Sequence, residues 1–510
     1  MPVISLEIGG CGAGVASKFW GLIDQSLLEV DRDDGHKSQL DLKWQRAFVR
    51  SDSRQRLLAR RLVIDSDPRS APKKSRAFDS QSILGVPSKK SGCGKNWASG
   101  YSLPRANEKR KGKSTMFEKP AWNSSAKVPH EDFNLQDRIM DGIRKEVEVC
   151  TGTPEFLLWH SLAGGVGGGM TSFVLEHLRD TYPKMYIASA SFGSLGAGFD
   201  PMQKINSIMC LGWLQAYVDL PMLFRPEAFD LHPRNAIASK SSPDLDLPGL
   251  NEKIAQGVAG ALWPLDVDET FGGKSRISDL VTAVCPDVRT KFTEVGSTMV
   301  SQIEGRPERN PWKKALSQII DSFPRGGPEA KSKPEIMGAM ITARLKSGRS
   351  KGSYEKIDKT SDRKENLHTS SLSNRFGASL TMKSKQERKG NHLGVELMEH
   401  QFTKSLRLDV DMLEFRQGSA CIPSIQETKR KTWSGYRGGS HDAKSVTIVA
   451  NLSSFADYAR KLAASGQSLC QAGAFLHWYE AQDISKDAIL EMINRMEAVA
   501  DQYKMASSSP

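Results

Sequence analysis

What this chain lacks narrows its chemistry first. Cysteine is sparse, with seven residues in 510, scattered singly from Cys11 to Cys470 and never as a CxxC pair. An odd, dispersed set reads as reduced cytosolic thiols, not as a disulfide frame or a zinc site. There is no HExxH and no cluster of His and Cys, so no metal centre of that kind is expected. Apolar runs fall far short of the roughly 20 residues that a membrane span needs. The opening "MPVISLEIGGCGAG" has neither a basic n-region nor an apolar h-region, so a secretory signal is not expected either. Aromatics are 7% of the residues, and no internal repeat is evident.

What is present is enough for real cores. Hydrophobic residues make up 38% of the chain, and its length fits two or three domains of about 100–200 residues each. The net charge of +12 opens nucleic acid or another acidic partner as a class. Its position matters more than its total. The excess sits largely in Ser102 to Pro120, "SLPRANEKRKGKSTMFEKP", and from about Leu345 to Gly390, both rich in Lys, Arg, Ser and Gly. Such segments bury too little apolar surface to offset chain entropy, so they read as mobile insertions or solvated linkers.

Between them the pattern alternates strand and helix. "VISLEI" (Val3 to Ile8) is a β-branched, alternating strand that runs through "GGCGAG" into a helix, "VASKFWGLI". "RLVIDSDP" (Arg61 to Pro68) reads as a buried strand ending in two carboxylates. Ile139, Ile143, Val147 and Cys150 share one helical face. "EFLLWHSL" is a strand of the continuous-apolar kind, "MTSFVLEHLRD" a helix and "KMYIASASF" another strand. This alternation predicts an α/β fold, a parallel sheet wrapped by helices.

The most pointed stretch is "HSLAGGVGGGMTSF", His160 to Phe173, with five glycines between Ala163 and Gly169. Strand, glycine-rich turn, then helix is an arrangement that holds phosphate, through outward N–H groups and the positive end of the helix. Glycine is expected there because a Cβ blocks close approach and disfavours positive φ. A Walker loop needs GK[ST] at its end, and here the run ends "GGMTS". A dinucleotide fold wants an acid at the next strand's end, and "ASASFGS" has none. By itself the glycine run is equally compatible with a structural turn.

"GGVGGGMTSF" resembles the GGGTGSG signature of the tubulin superfamily. "VISLEIGGCGAGVASKFWGLI" resembles the tubulin N-terminus, GQCGNQIGxxFW. "GCGKNWASGY" (Gly92 to Tyr101) is similar to the tubulin loop GxGNNWAxGH, and "AFLHWYEAQDISKDAI" (Ala474 to Ile489) to AFVHWYxxxGMEExEF. These motifs occur in order over 480 residues. In finer detail "IRKEVEVC", "HSLAGG" and "NWASGYS" resemble the delta-tubulin branch, and the ending "QYKMASSSP" differs from the glutamate-rich tails of alpha- and beta-tubulins.

The resemblance implies a tubulin/FtsZ-like α/β fold: a parallel-sheet GTP-binding domain over 1–225, a central helix and intermediate α/β domain over 226–450 with the basic insertion at about 345–390, and C-terminal helices over 451–510. The central helix is "PGLNEKIAQGVAGALW", with Leu250, Ile254, Val258 and Leu262 on one face. The final helix, Ser485 to Tyr503, carries Ile489, Ile493, Met496 and Tyr503, a stripe that reads as packing against the other domains.

Site residues follow one at a time from the resemblance. Ser161 and the loop Ala163, Gly164, Gly165, Val166, Gly167, Gly168 and Gly169 would meet the phosphates of GTP or GDP. Gly10 and Cys11 would lie under the nucleotide. Asp65 and Asp67 would face Mg²⁺ and the γ-phosphate, two carboxylates at i and i+2 that suit a hydrated ion; capping the next turn is the plain alternative. Gly94, Lys95 and Asn96 match the loop touching the γ-phosphate, and Asn251 would read the guanine edge. Val166 and Gly168 replace a threonine and a serine, and each lost hydrogen bond to a charged group costs about 1.5–3 kcal/mol. Gly10 replaces a glutamine, Pro226 an asparagine, Leu247 a base-stacking aromatic, and Phe199 a polar residue near the ribose.

By function the resemblance implies a GTP-binding cytoskeletal protein of centrioles, basal bodies and cilia, with other tubulins and microtubules as partners and no membrane. Two alternatives stand beside it: an active polymerising GTPase, and a nucleotide-poor interaction module binding acidic surfaces. Hydrolysis in this family is completed by a neighbouring subunit. Asp279, seven residues before Pro286, has the spacing of that family's catalytic acid, while Arg276 replaces a second acid; a surface Asp at a helix start is the plain reading. The basic insertion has few aromatics, mainly Tyr354 and Phe376, to stack bases, which weighs against nucleic acid.

Overall fold

The computed structural model describes residues 2–30, 47–51, 53–54, 57–66, 79–80, 83–85, 93, 95–105, 135–193, 200–225, 247–263, 276–300, 315, 318–320, 322–323, 335–344, 413–418 and 444–508. The basic stretch at 345–390 and most of that at 102–120 lie outside them.

In chain order the first elements are β1 (Val3–Ile8), α1 (Gly9–Val30), β2 (Val49–Ser51), β3 (Leu57–Ala59), β4 (Arg61–Asp65), β5 (Asp79–Ser80) and β6 (Ile83–Gly85), of which β2, β3 and β5 form a separate three-stranded sheet. There follow α2 (Trp97–Ser102), α3 (Leu135–Glu148), β7 (Glu155–Ser161), a π-type turn at Gly165–Met170, α4 (Thr171–Thr181), β8 (Ile187–Phe192), α5 (Pro201–Tyr217) and β9 (Leu220–Phe224). The second half holds α6 (Leu247–Leu262), α7 (Ile277–Val284), β10 (Thr293–Val300), β11 (Ile336–Arg344), β12 (Leu413–Gly418), β13 (Lys444–Leu452), α8 (Ser454–Gln471), α9 (Leu476–Glu480) and α10 (Lys486–Ser508).

Ten strands form one sheet in the order β12-β11-β13-β10-β9-β8-β7-β1-β4-β6. From β6 to β10 every pairing is parallel. β13 runs antiparallel to both β10 and β11. The parallel half is the expected α/β sheet, and its central strands are buried and mainly apolar because helices cover both faces. One core lies under α3, α4, α5 and the three C-terminal helices, the other under α1, α6 and α7. The stripes read from sequence fall into place. Ile254, Val258 and Leu262 of α6 are buried in the second core with Leu250 packed beside them, and Ile489, Ile493, Met496 and Tyr503 of α10 are buried in the first.

β1 is the strand that its alternation and β-branching predict, and all six of its residues are buried. Ser5 accepts from Trp159 Nε1 at 3.0 Å, and Glu7 accepts from Trp20 Nε1 at 2.7 Å and from Arg61. Polar side chains here answer helix and neighbouring strands, not water, because a buried carboxylate persists only when paired.

Candidate functional site

Parallel strands leave their carboxyl ends as a crevice where loops converge, and ligands of such folds bind there. At the end of β1 the chain turns on Gly9 at φ +74° and enters α1 immediately. A Cβ at Gly9 would lie 3.1 Å from Gly167 N, and one at Gly12 only 2.1 Å from Trp159 O. The first turn of α1 is thus pressed against the glycine loop that follows β7. Gly10 and Cys11 stay exposed. Cys11 sits deep enough in surrounding protein that burial pushes its thiol up to about 11, as fits a residue on the floor of a concavity.

The glycine loop is not a left-handed turn. None of its described glycines has positive φ, and Gly165–Met170 winds as a right-handed π-type turn continuous with α4. The glycines answer instead to crowding. A Cβ at Gly169 would lie 2.0 Å from Trp97 O, one at Gly165 2.9 Å from Asn96 N, and one at Gly167 2.4 Å from Ser161 Oγ. The expectation of close approach therefore holds, but protein backbone is what approaches. Thr171 Oγ1 donates to Gly167 O at 2.6 Å and Ser172 Oγ to Gly168 O at 2.9 Å. Gly164, ahead of the turn, supplies no side-chain cap. Carbonyls are thereby occupied, and the leading amides point out of the helix start, where anions are stabilised.

A second loop is clamped onto the first. Lys95 stands at φ +58°, strained for a residue with a Cβ. Asn96 caps α2 by accepting from Ala98 N at 2.9 Å, and its amide donates to Trp478 O at 2.8 Å. Asn206, in the middle of α5, is the hub. Its Nδ2 donates to Lys95 O at 2.6 Å and to Ala163 O at 2.9 Å. Its Oδ1 accepts from Trp97 N at 2.9 Å and from Tyr479 Oη at 2.6 Å. One buried amide so holds both candidate phosphate loops and the C-terminal helices, with all its bonds made.

Below the loop, His160 is wholly buried. Its Nε2 lies 2.8 Å from Ser191 Oγ, which lies 3.0 Å from Ser189 Oγ, and its Nδ1 faces Ser161 O at 3.4 Å. Burial lowers its pKa to about 4, so the ring is neutral, and the carbonyls of Ser161 and Gly167 resist that shift only partly.

The described residues thus bring together Gly10, Cys11, Asn96, Ser161 and Ala163 through Gly169. Asp65 ends β4 at the same edge, buried, and its charge helps burial push the Cys93 thiol up to about 12. Asn251 joins them from α6: a Cβ at Gly14 would lie 3.4 Å from its Nδ2. Asp67, Gly94, Phe199 and Pro226 fall outside the described residues, and of Leu247 only the backbone is described. Asp279 is elsewhere. It sits in the first turn of α7 and accepts from Arg276 N at 3.3 Å, while Glu155, which opens β7, accepts from Ile277 N and Ser278 N. That is the opposite end of β7 from Ser161, about 20 Å away at 3.3 Å per residue. Asn206, Tyr479 and His160 were not singled out by the sequence reading. Asn206 had a signal, a lone amide in the apolar run "INSIMCLGWL".

A parallel sheet with a glycine-rich turn at its carboxyl edge defines an α/β fold. Comparison sharpens that class. Residues 110–229 match the model of the Tubulin/FtsZ family, GTPase domain. The chain is 25% identical over 197 residues to the Tubulin beta chain of Coprinopsis cinerea and 28% identical over 197 residues to the Tubulin beta-3 chain of Echinococcus multilocularis. It is 26% identical over 196 residues to the Tubulin gamma chain of Caenorhabditis elegans. Each match covers 37% of this chain and 37% of the relative. The fold is tubulin/FtsZ-like, and the matches support the tubulin superfamily.

Proposed function

We propose that this chain is a guanine-nucleotide-binding cytoskeletal subunit that associates with other tubulins, specialised in the manner of delta-tubulin for centrioles, basal bodies and cilium assembly. The observation that carries the nucleotide reading is the convergence of Gly10–Cys11, Asn96, Ser161–Gly169 and Asn251 on one strand-end crevice. The delta-like specialisation rests on the "IRKEVEVC", "HSLAGG" and "NWASGYS" motifs.

The residues fit a phosphate tail. The leading amides of the Gly165–Met170 turn lack a side-chain cap, and the turn feeds the positive end of α4. Bound Mg²⁺ would supply charge neutralisation between phosphate oxygens, and Asp65, at the end of β4, would orient its water shell. Asn251 offers the amide donor and acceptor needed for a guanine edge. Val166 contributes no hydroxyl, so grip relies on backbone. Asp279, at the far end of the sheet, acts on a neighbour's nucleotide and not on this chain's own, orienting a water toward the γ-phosphate. The basic segment at 345–390 adds long-range attraction to acidic microtubule surfaces, screened over about 8 Å at physiological salt.

Chromatography of nucleotide released from the purified protein tests this directly. Guanine nucleotide is expected. Protein free of nucleotide, even after incubation with GTP and Mg²⁺, would favour the interaction-module reading.

A further inference from the structure

Among the described residues, the non-glycines with left-handed backbone are Lys95 at φ +58°, Phe475 at +64° and Asp483 at +62°. All of them border one contact, between α9 and the Lys95–Asn96 segment. Phe475 is the N-cap of α9, Asp483 follows its end, and Gly473, also left-handed at +64°, precedes it. Such conformations in residues with a Cβ cost free energy and persist only where the surroundings fix them, which happens most at ligand clamps and switches. Asn96, only 2% exposed, is the meeting point. On one side its backbone lies against the glycine turn, where a Cβ at Gly165 would be 2.9 Å from both Asn96 N and Asn96 O. On the other side its amide donates to Trp478 O at 2.8 Å, while its oxygen is taken by Ala98 N. Tyr479 anchors α9 as well, through its hydroxyl to Asn206 Oδ1 at 2.6 Å and Met202 O at 3.4 Å. Trp478 thus faces two ways, its carbonyl inward to Asn96 and its indole outward, 52% exposed beside the His477 ring.

We propose that α9 is a strap that reads the γ-phosphate through Asn96. The bond from the Asn96 amide to Trp478 O is neutral, whereas a bond from the same amide to a phosphate is charge-assisted and about twice as strong. A triphosphate in the crevice therefore draws the amide away from Trp478 O. A diphosphate offers no γ-oxygen and leaves the bond in place. Once Trp478 O loses its donor, α9 is held by Tyr479 against left-handed residues at both ends, and it opens, carrying the indole with it. The coupling is reciprocal: whatever holds α9 down weakens triphosphate relative to diphosphate by the same factor. The strap rests on the nucleotide reading proposed above and adds to it the surface that responds to the bound nucleotide.

Hydrogen exchange of the full-length protein, read by mass spectrometry with Mg²⁺ and saturating GDP or a non-hydrolysable GTP analogue, tests the strap. The amides of Trp478, Ala481, Gln482 and Ile484 are bonded within the α9 turn and report its opening. With the triphosphate they should exchange about tenfold faster than with GDP, the scale of one hydrogen bond lost from a local opening. In Asn96→Ser, whose hydroxyl still caps α2 but is too short to reach Trp478 O, they should exchange at the fast rate with either nucleotide. Tyr479→Phe, which loosens α9 from its other side, should raise the affinity ratio of triphosphate to diphosphate several-fold. The nucleotide retained on each sample is measured in parallel. Equal or slower exchange of α9 with the triphosphate, with both nucleotides bound, would overturn the strap and leave the nucleotide site standing. Binding of neither nucleotide would overturn the site and the strap with it.

Discussion

Tyr479 donates its hydroxyl to Asn206 Oδ1 at 2.6 Å across 273 residues of sequence. The bond ties the C-terminal helices to the amide that also holds Lys95 O and Ala163 O, so the crevice is shaped by a segment remote from it.

Removing that hub should cost more than its size suggests. In Asn206→Leu the carbonyls of Lys95 and Ala163 and Trp97 N lose this partner, and the Tyr479 hydroxyl keeps only its 3.4 Å bond to Met202 O. At about 1–3 kcal/mol for each buried group left unpaired, loss of several kcal/mol is expected, with Tyr479→Phe costing only about 1 kcal/mol. Urea unfolding of the two variants checks the order. Equal costs would remove Asn206 from its central place.

The glycine loop can be repaired at one position and not the other. Val166→Thr restores a hydroxyl at a half-buried site and should tighten nucleotide about tenfold if its hydroxyl bonds phosphate. Gly168→Ser should not, because a Cβ there would meet Leu162 O at 2.8 Å and Trp97 Cδ1 at 3.2 Å. Gly21→Ala is the control, since a Cβ there meets nothing within 4 Å and alanine is favoured in a helix interior. Affinity and melting temperature of the three variants separate the cases. Tighter binding by Gly168→Ser would contradict the packing account.

This asymmetry shows what was legible in the sequence and what was not. The run from His160 to Phe173 disclosed a strand, a turn and a helix by periodicity and composition, and all three are there. It did not disclose why the glycines are glycine, because Trp97 and Asn96 reach them across sixty and more residues. Likewise "VISLEI" announced a strand, but not that Glu7 is buried against Arg61 and Trp20. Local patterns carry element type; partners distant in sequence carry the environment. Asp279 is the sharpest case, since spacing alone cannot tell a helix-start acid from a group that acts on another subunit.

Acid should destabilise the protein through His160. Its folded pKa is about 4 against an ordinary 6.5, so only the unfolded chain takes up a proton between those values. Stability is unaffected above pH 6.5 and declines as pH falls toward 4, by at most about 3 kcal/mol. Urea midpoints from pH 7 to 4.5 should therefore drop more steeply in the wild type than in His160→Gln. Parallel slopes would mean the imidazole is charged in the fold.

Asp279 allows its two roles to be told apart. Asp279→Asn should reduce stability by no more than about 1 kcal/mol, the scale of a helix-start charge. In mixed assemblies with conventional tubulin it should lower GTP turnover several-fold if the carboxylate serves a neighbour. Unchanged turnover would leave only the contact to Arg276 N.

The central claim is guanine recognition at the strand-end crevice, and calorimetric titration of the nucleotide-stripped protein with GTP and with ATP, in the presence of Mg²⁺, tests it most directly. The account expects one site per chain, saturable binding of GTP, and ATP at least about tenfold weaker, a preference that Asn251→Ala reduces. Equal affinities for the two nucleotides, or no heat with either, would contradict it.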